Sequence, residues 1–245
     1  MKVIICETRD EMSRKGAEIF AERIKAKADL VIGLATGSTP EGLYAELAKK
    51  NAASEIDFSK VRSFNLDEYL GIAPDHDQSY RFFMNQKLFD NINIDKANTR
   101  VLDGLAADPA AECAKFEDEI KAAGGVDLQL LGIGSNGHIA FNEPGSPKDS
   151  RTRVVDLTES TIKDNSRFFA SADEVPKQAL SMGNGAILEA KEIVMLANGA
   201  NKAKAVAAAL EGPESEDCPA SLLQAHDNVT VVLDAEAAAE LQKEY

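Results

Sequence analysis

The sequence predicts a single α/β domain, built as a doubly wound, mostly parallel sheet flanked by helices. Three observations lead there. Six apolar runs rich in Val, Ile and Leu punctuate the chain without clean alternation, the pattern of strands buried on both faces. Longer amphipathic stretches separate most of them, and strand–helix alternation implies parallel strands with helical crossovers. The 245 residues, 44 % of them hydrophobic, suffice for one large core, and no repeat, low-complexity segment or linker divides them.

In chain order, the expected strands are "KVIIC" (2–6), "LVIGL" (30–34), "VRSFN" (61–65), "VDLQLLGI" (126–133), "EIVMLA" (192–197) and "NVTVVL" (228–233). Helices are expected over about 10–27, 40–50, 79–90, 108–122, 160–167, 200–210 and 235–243. The opening "MKVIICETRD" has too short an apolar run for a signal peptide. No apolar stretch reaches the roughly 18 residues of a membrane span. Cys6, Cys113 and Cys218 are few, odd in number and far apart. That pattern argues against a disulfide framework or a zinc site and for a reducing cytoplasm. A net charge of −14 argues against nucleic acid or an anionic membrane as partner, since both require a basic face. A small anionic substrate needs only a few local cations and stays compatible.

In such a sheet, ligands sit beyond the carboxyl ends of the strands. Three loops there carry unusual residues. In "GLATGSTPEGLYAELAKK" a strand passes through Gly37 into a helix, with Ser38 or Thr39 as expected cap and Pro40 at the first helical position. Its free N–H groups suit either a plain capped helix or an anion; without a Gly-Lys-Ser/Thr close it is not a Walker loop. In "SFNLDEYLGI", Asp67 and Glu68 end a strand, where an acid can be a base, a metal ligand or a helix cap.

The third loop, "GIGSNGHIAFNEPGS" (132–146), opens with the glycine spacing of a dinucleotide site. That site needs a helix directly afterwards, and Pro144 and Pro147 forbid one of useful length. What remains is a tight turn presenting Asn136, His138 and Glu143. A carboxylate against an imidazole would orient the ring and raise its basicity; a structural histidine or a His–Glu metal pair lacking a third ligand are the alternatives.

"TGSTP", "FNLDEY", "GSNGHIAFNEPGS", "SRTR", "NSRFF" and "VPKQALSMG" follow one another as in the glucosamine-6-phosphate deaminases, which the chain resembles over nearly its whole length. The related 6-phosphogluconolactonases differ after the histidine. The resemblance implies a Rossmann-like deaminase/phosphogluconolactonase fold. It also implies a cytoplasmic enzyme that turns glucosamine 6-phosphate into fructose 6-phosphate and ammonia with no cofactor or metal. It places the enolisation base on Asp67, ring opening on Asn136, His138 and Glu143, and phosphate binding on Gly37, Ser38, Thr39, Arg167 and Lys202. Many members carry Asp where this chain has Asn136, so only hydrogen bonding is expected of that residue. A mobile lid is expected over about 157–182, followed by a hinge-like Gly183–Gly185. Ser146 and Arg153 match an inter-subunit activator site of hexameric members, but Val155 and Asp156 do not, and the chain lacks the C-terminal extension. An unregulated monomer or small homo-oligomer is the expectation.

Overall fold

The computed structural model describes residues 1–165, 169, 171 and 174–245, without the side chains of Ser160, Asp164 and Asn165. Its centre is a parallel sheet built from β1 (Lys2–Cys6), β2 (Val31–Leu34), β3 (Arg62–Asn65), β5 (Thr99–Arg100), β6 (Leu128–Leu131), β9 (Ile193–Ala197) and β10 (Val229–Asp234). Among the described residues their order is β1-β10-β9-β6-β2-β3-β5, with every pairing parallel. β2, β6 and β9 are buried at every position, as expected of a sheet covered on both faces. All six expected strands form, each within a residue or two of the range read from the sequence, except that β6 ends at Leu131 and leaves Gly132 and Ile133 in the loop.

The helices begin where local chemistry starts them. α1 (Arg9–Ala26) is capped by Thr8, whose hydroxyl accepts from Glu11 N at 3.2 Å, and buries Met12, Phe20 and Ile24 along one stripe. α4 (Pro109–Ala122) is capped by Asp108, with Pro109 at its first position. α3 (Tyr80–Lys87) is shorter than expected, because residues 89–91 continue as a 3₁₀ turn. α2 (Glu41–Ala52) departs from the expected cap: Pro40 holds that position and no side chain caps it. Thr39 turns away to donate to Asn198 Oδ1 at 2.8 Å. α7 (Ala203–Glu211) follows a 3₁₀ turn over Ala200–Lys202.

Residues 235–243 form turns rather than the expected helix. The backbone N–H groups of Gln242 and Lys243 instead donate to the Glu211 carboxylate, at 2.8–3.0 Å. That draws the tail onto the end of α7.

A second sheet does not show in the apolar pattern. β4 (Asp67–Tyr69), β8 (Gln178–Ser181) and β7 (Arg153–Asp156) form an antiparallel sheet ordered β4-β8-β7. The chain changes sheets at Leu66. Its N–H still bonds Leu34 O of the large sheet, while its carbonyl accepts from Met182 N beyond β8. Asp67 therefore stands at the junction of the two sheets.

The segment expected as a lid, 157–182, contains α5 (Glu159–Asn165) and the whole of β8, where Ala179, Leu180 and Ser181 are buried. Its last residues are thus a sheet strand. α6 (Asn184–Leu188) follows. Gly183 and Gly185 pack closely, since a Cβ at either would strike the backbone of residues 149–151. Among the described residues no helix is long and apolar enough to cross a membrane.

Candidate active site

A cavity of about 420 Å³ opens at the carboxyl ends of β2, β3, β6 and β9. Gly37, Ser38, Thr39, Asp67, His138 and Lys202 all line it. Four loops far apart in sequence thus converge on one space, as the parallel topology requires.

One wall is the turn before α2. Gly37 has φ +92°, a conformation natural to glycine, and Arg9 holds the Ser38 carbonyl from the side of α1. With Thr39 bonded to Asn198 and Pro40 at the cap, no side chain among the described residues caps α2, which leaves its first N–H groups open to a ligand. Facing this turn, Lys202 is set by Gly199, where φ is +87°. The Gly199 N–H donates to both oxygens of Asp234 at 3.0 and 3.1 Å, which fixes the turn against β10. Arg167, the remaining expected phosphate ligand, lies outside the described residues.

The opposite wall carries the acids. Asp67 is 6 % exposed, and burial, with the Glu68 charge beside it, pushes its carboxyl up to about 8. Glu68 serves the fold: its carboxylate accepts from Ser79 Oγ (2.8 Å) and from the N–H groups of Tyr69, Tyr80 and Arg81 (2.9–3.0 Å), closing the start of α3. The neighbouring acids thus divide into a cap and a group facing the cavity. Tyr80 and Phe141, stacked at 6.1 Å, complete an aromatic face beside Asp67.

The glycine turn after β6 exists to place His138. A Cβ at Gly134 would collide with the imidazole ring, and Gly137, at φ +87°, turns the chain against Cys218. Gly137 N donates to Gly134 O, and Gly134 N to His138 O, closing the loop. Residues 138–147 then run as bridge and turns, so no helix receives a pyrophosphate. Asn142, fully buried, donates to the Ile139 and Met182 carbonyls and accepts from Arg153 at 2.9 Å, anchoring the loop to the small sheet.

Behind the ring lies Glu143, with Oε2 3.6 Å from His138 Nδ1. Asn136 spans both: its Nδ2 donates to Glu143 Oε2 at 2.6 Å and its Oδ1 accepts from His138 N at 3.2 Å. Glu143 Oε1 accepts from Thr161 Oγ1 and, at 3.3 Å, from Thr158 Oγ1. Burial would raise this carboxyl, but His138 and these donors hold it at about 2. It is a carboxylate throughout the physiological range.

The sequence reading did not find Thr161, Asn198, Asn201 or Tyr80, all of which line the cavity. Only Asn201 carried a signal, as the neighbour of Lys202. No group of three or more His, Cys, Asp or Glu capable of holding a metal occurs among the described residues.

Comparison with known proteins meets this geometry. The family described as "Glucosamine-6-phosphate isomerases/6-phosphogluconolactonase" matches residues 7–232. A glucosamine-6-phosphate deaminase of Thermoanaerobacter sp. (strain X514) is 52 % identical over 238 residues, covering 97 % of this chain and 94 % of that one. A solved structure described as a monomeric glucosamine-6-phosphate deaminase is 47 % identical with a TM-score of 0.96, covering 98 % of this chain and 100 % of that one. The 6-phosphogluconolactonase of Trypanosoma cruzi, at 24 % identity and TM-score 0.77 over 99 % of this chain and 97 % of that one, shares the fold. The chain belongs to the glucosamine-6-phosphate isomerase/6-phosphogluconolactonase family.

Proposed function

We propose that the chain converts glucosamine 6-phosphate and water into fructose 6-phosphate and ammonia. The observation that carries this reading is the meeting of Asp67 and His138 in one cavity, His138 being backed by the Glu143 carboxylate, with Lys202 and the turn before α2 lining the same space. Lactone hydrolysis needs a phosphate site, but no base placed to work on a carbon acid.

The substrate's phosphate carries about −1.5 to −2 charges. Lys202, the Ser38–Thr39 turn and the first N–H groups of α2 receive it, with Arg167 assigned to the same task by its motif. Local cations thereby settle the conflict with an acidic chain. His138 takes the O1 proton of the cyclic sugar and returns it to the ring oxygen as the C1–O bond breaks, giving the open aldehyde. Glu143 stabilises the imidazolium between those steps. Asp67 then removes the C2 proton, which the adjacent carbonyl and the C2 ammonium have acidified, and delivers it to C1, while O1 takes a proton from that ammonium and becomes the hydroxyl. The nitrogen is left as an iminium at C2; water adds and ammonia leaves, giving the ketose. A carboxyl near 8 suits a group that must take a proton and briefly keep it.

Ammonia release from glucosamine 6-phosphate, compared with hydrolysis of 6-phosphogluconolactone, tests the reading; lactone hydrolysis without ammonia would overturn it. The enzyme acts in the cytoplasm as a monomer or small oligomer without an activator site. The solved relative described as monomeric supports this, as do Val155 and Asp156 on β7, which offer an anion no donor. Size-exclusion chromatography with light scattering checks the oligomeric state.

A further inference from the structure

We infer that Thr161 is a positioning residue, whose hydroxyl holds the Glu143 carboxylate in its aim at His138 from outside the loop that carries both. The inference rests on the proposed roles of His138 and Glu143. The Nδ1–Oε2 separation of 3.6 Å exceeds a hydrogen bond, so the orientation of the carboxylate decides whether an imidazolium N–H finds it. Asn136, bonded to Oε2, belongs to the same loop and would move with it. The anchors from elsewhere are on Oε1, and both come from the start of α5. Thr158 is the weaker: its one hydroxyl proton is shared between Glu143 Oε1 at 3.3 Å and Thr161 Oγ1 at 3.1 Å, and its oxygen accepts from Thr161 N at 3.3 Å. Thr161 makes the closer contact, is only 6 % exposed, and forms part of the cavity wall.

The kind of donor matters as much as its place. A lysine or arginine on Oε1 would hold the carboxylate but neutralise it, competing with His138 for its charge. Hydroxyl and amide donors satisfy a buried carboxylate while leaving its charge for the imidazolium. The same donors that keep Glu143 ionised therefore keep it available.

The test is a set of kinetic measurements on the intact enzyme, with thermal melts as the control for folding. Thr161→Val removes the hydroxyl at nearly constant volume. It should lower kcat by about 10- to 100-fold with KM within about 3-fold; Thr161→Ala gives the same reading should the valine variant not fold. Thr161→Ser should restore kcat to within about 3-fold of the parent enzyme. In a Glu143→Ala background, Thr161→Val should cost no more than about 2-fold further, because the residue acts through that carboxylate. Parent-like kcat in Thr161→Val, a serine variant as impaired as valine, or an undiminished cost in the Glu143→Ala background would each overturn the inference. A parent enzyme that releases no ammonia would instead sink the proposed function beneath it.

Discussion

Asp67 and Glu143 are both carboxylic acids, nearly equally buried at 6 % and 8 % exposure; Asp67 lines the cavity itself, and Glu143 stands behind His138, which does. Their environments drive them apart. Asp67 stands where the chain changes sheets, desolvated and beside the charge of Glu68, and rises to about 8. Glu143 is desolvated too, but His138 beside it and the donors Thr161 and Asn136 outweigh that cost, so it falls to about 2. Equal burial therefore does not fix the charge of an acid; the partners around it decide whether the desolvation cost is offset. The contrast matches the two tasks, since a base must pick up a proton and an imidazolium partner must remain charged.

The comparison can be broken most forcefully at Asp67. Asp67→Asn keeps shape and polarity but cannot take a proton. Turnover should fall about 10²–10⁴-fold with KM little changed, read as ammonia release under saturating substrate. Lys202→Ala leaves both acids in place and removes a proposed phosphate ligand. It should raise KM by about 10- to 150-fold, and unphosphorylated glucosamine should be a poor substrate of the parent enzyme. Similar kcat/KM for glucosamine and its 6-phosphate would remove Lys202 from the site.

Stability sharpens the contrast, because the two acids have opposite signs. Folded Asp67 holds its proton up to about 8, whereas unfolded it releases it near 3.8. Its contribution to stability therefore falls as pH rises through that window. Folded Glu143 stays ionised to about 2 against 4.5 unfolded, so its contribution is fully present above 4.5 and is lost as pH falls toward 2. At pH 8, Asp67→Asn should stabilise the protein by about 1–3 kcal/mol and Glu143→Gln should destabilise it by about the same, measured by urea unfolding. Equal signs for the two would show that their environments do not differ as described. The smallest effects are expected from additions: dialysis against EDTA and saturating N-acetylglucosamine 6-phosphate should each leave initial rates within experimental scatter. A lost activity restored by a divalent metal would recast His138 and Glu143 as ligands.

Six strands of the large sheet were legible because apolar runs mark them, and a helix–strand pattern with that burial has few arrangements; β5, two residues long, was not expected, because so short a strand shows no run. The small sheet was not. "DEY", "QALS" and "RVVD" are three or four residues long, and nothing in them alternates far enough to show a period. The tail "AEAAAELQK" has the composition of a helix, but the Glu211 carboxylate claims its later N–H groups, a tertiary contact that no local pattern reveals. Thr39 reads as a cap until Asn198, 159 residues away, takes its hydroxyl. In the site, the loops and the His–Glu pairing followed from turn chemistry and proline placement. The roles of Asp67, Asn136, Arg167 and Lys202 came from the resemblance. Thr161 was invisible, because a threonine on a short helix carries no signal until the fold lays it against Glu143.

The central claim is that Asp67 moves the C2 proton while Glu143, through His138, serves ring opening. Solvent-deuterium exchange at C2 of glucosamine 6-phosphate, followed by NMR with the parent enzyme and Asp67→Asn, addresses it directly. The account predicts rapid incorporation with the parent and a rate about 10²–10⁴-fold lower with the variant. Exchange at a near-parent rate in Asp67→Asn would contradict it and move the base to another group.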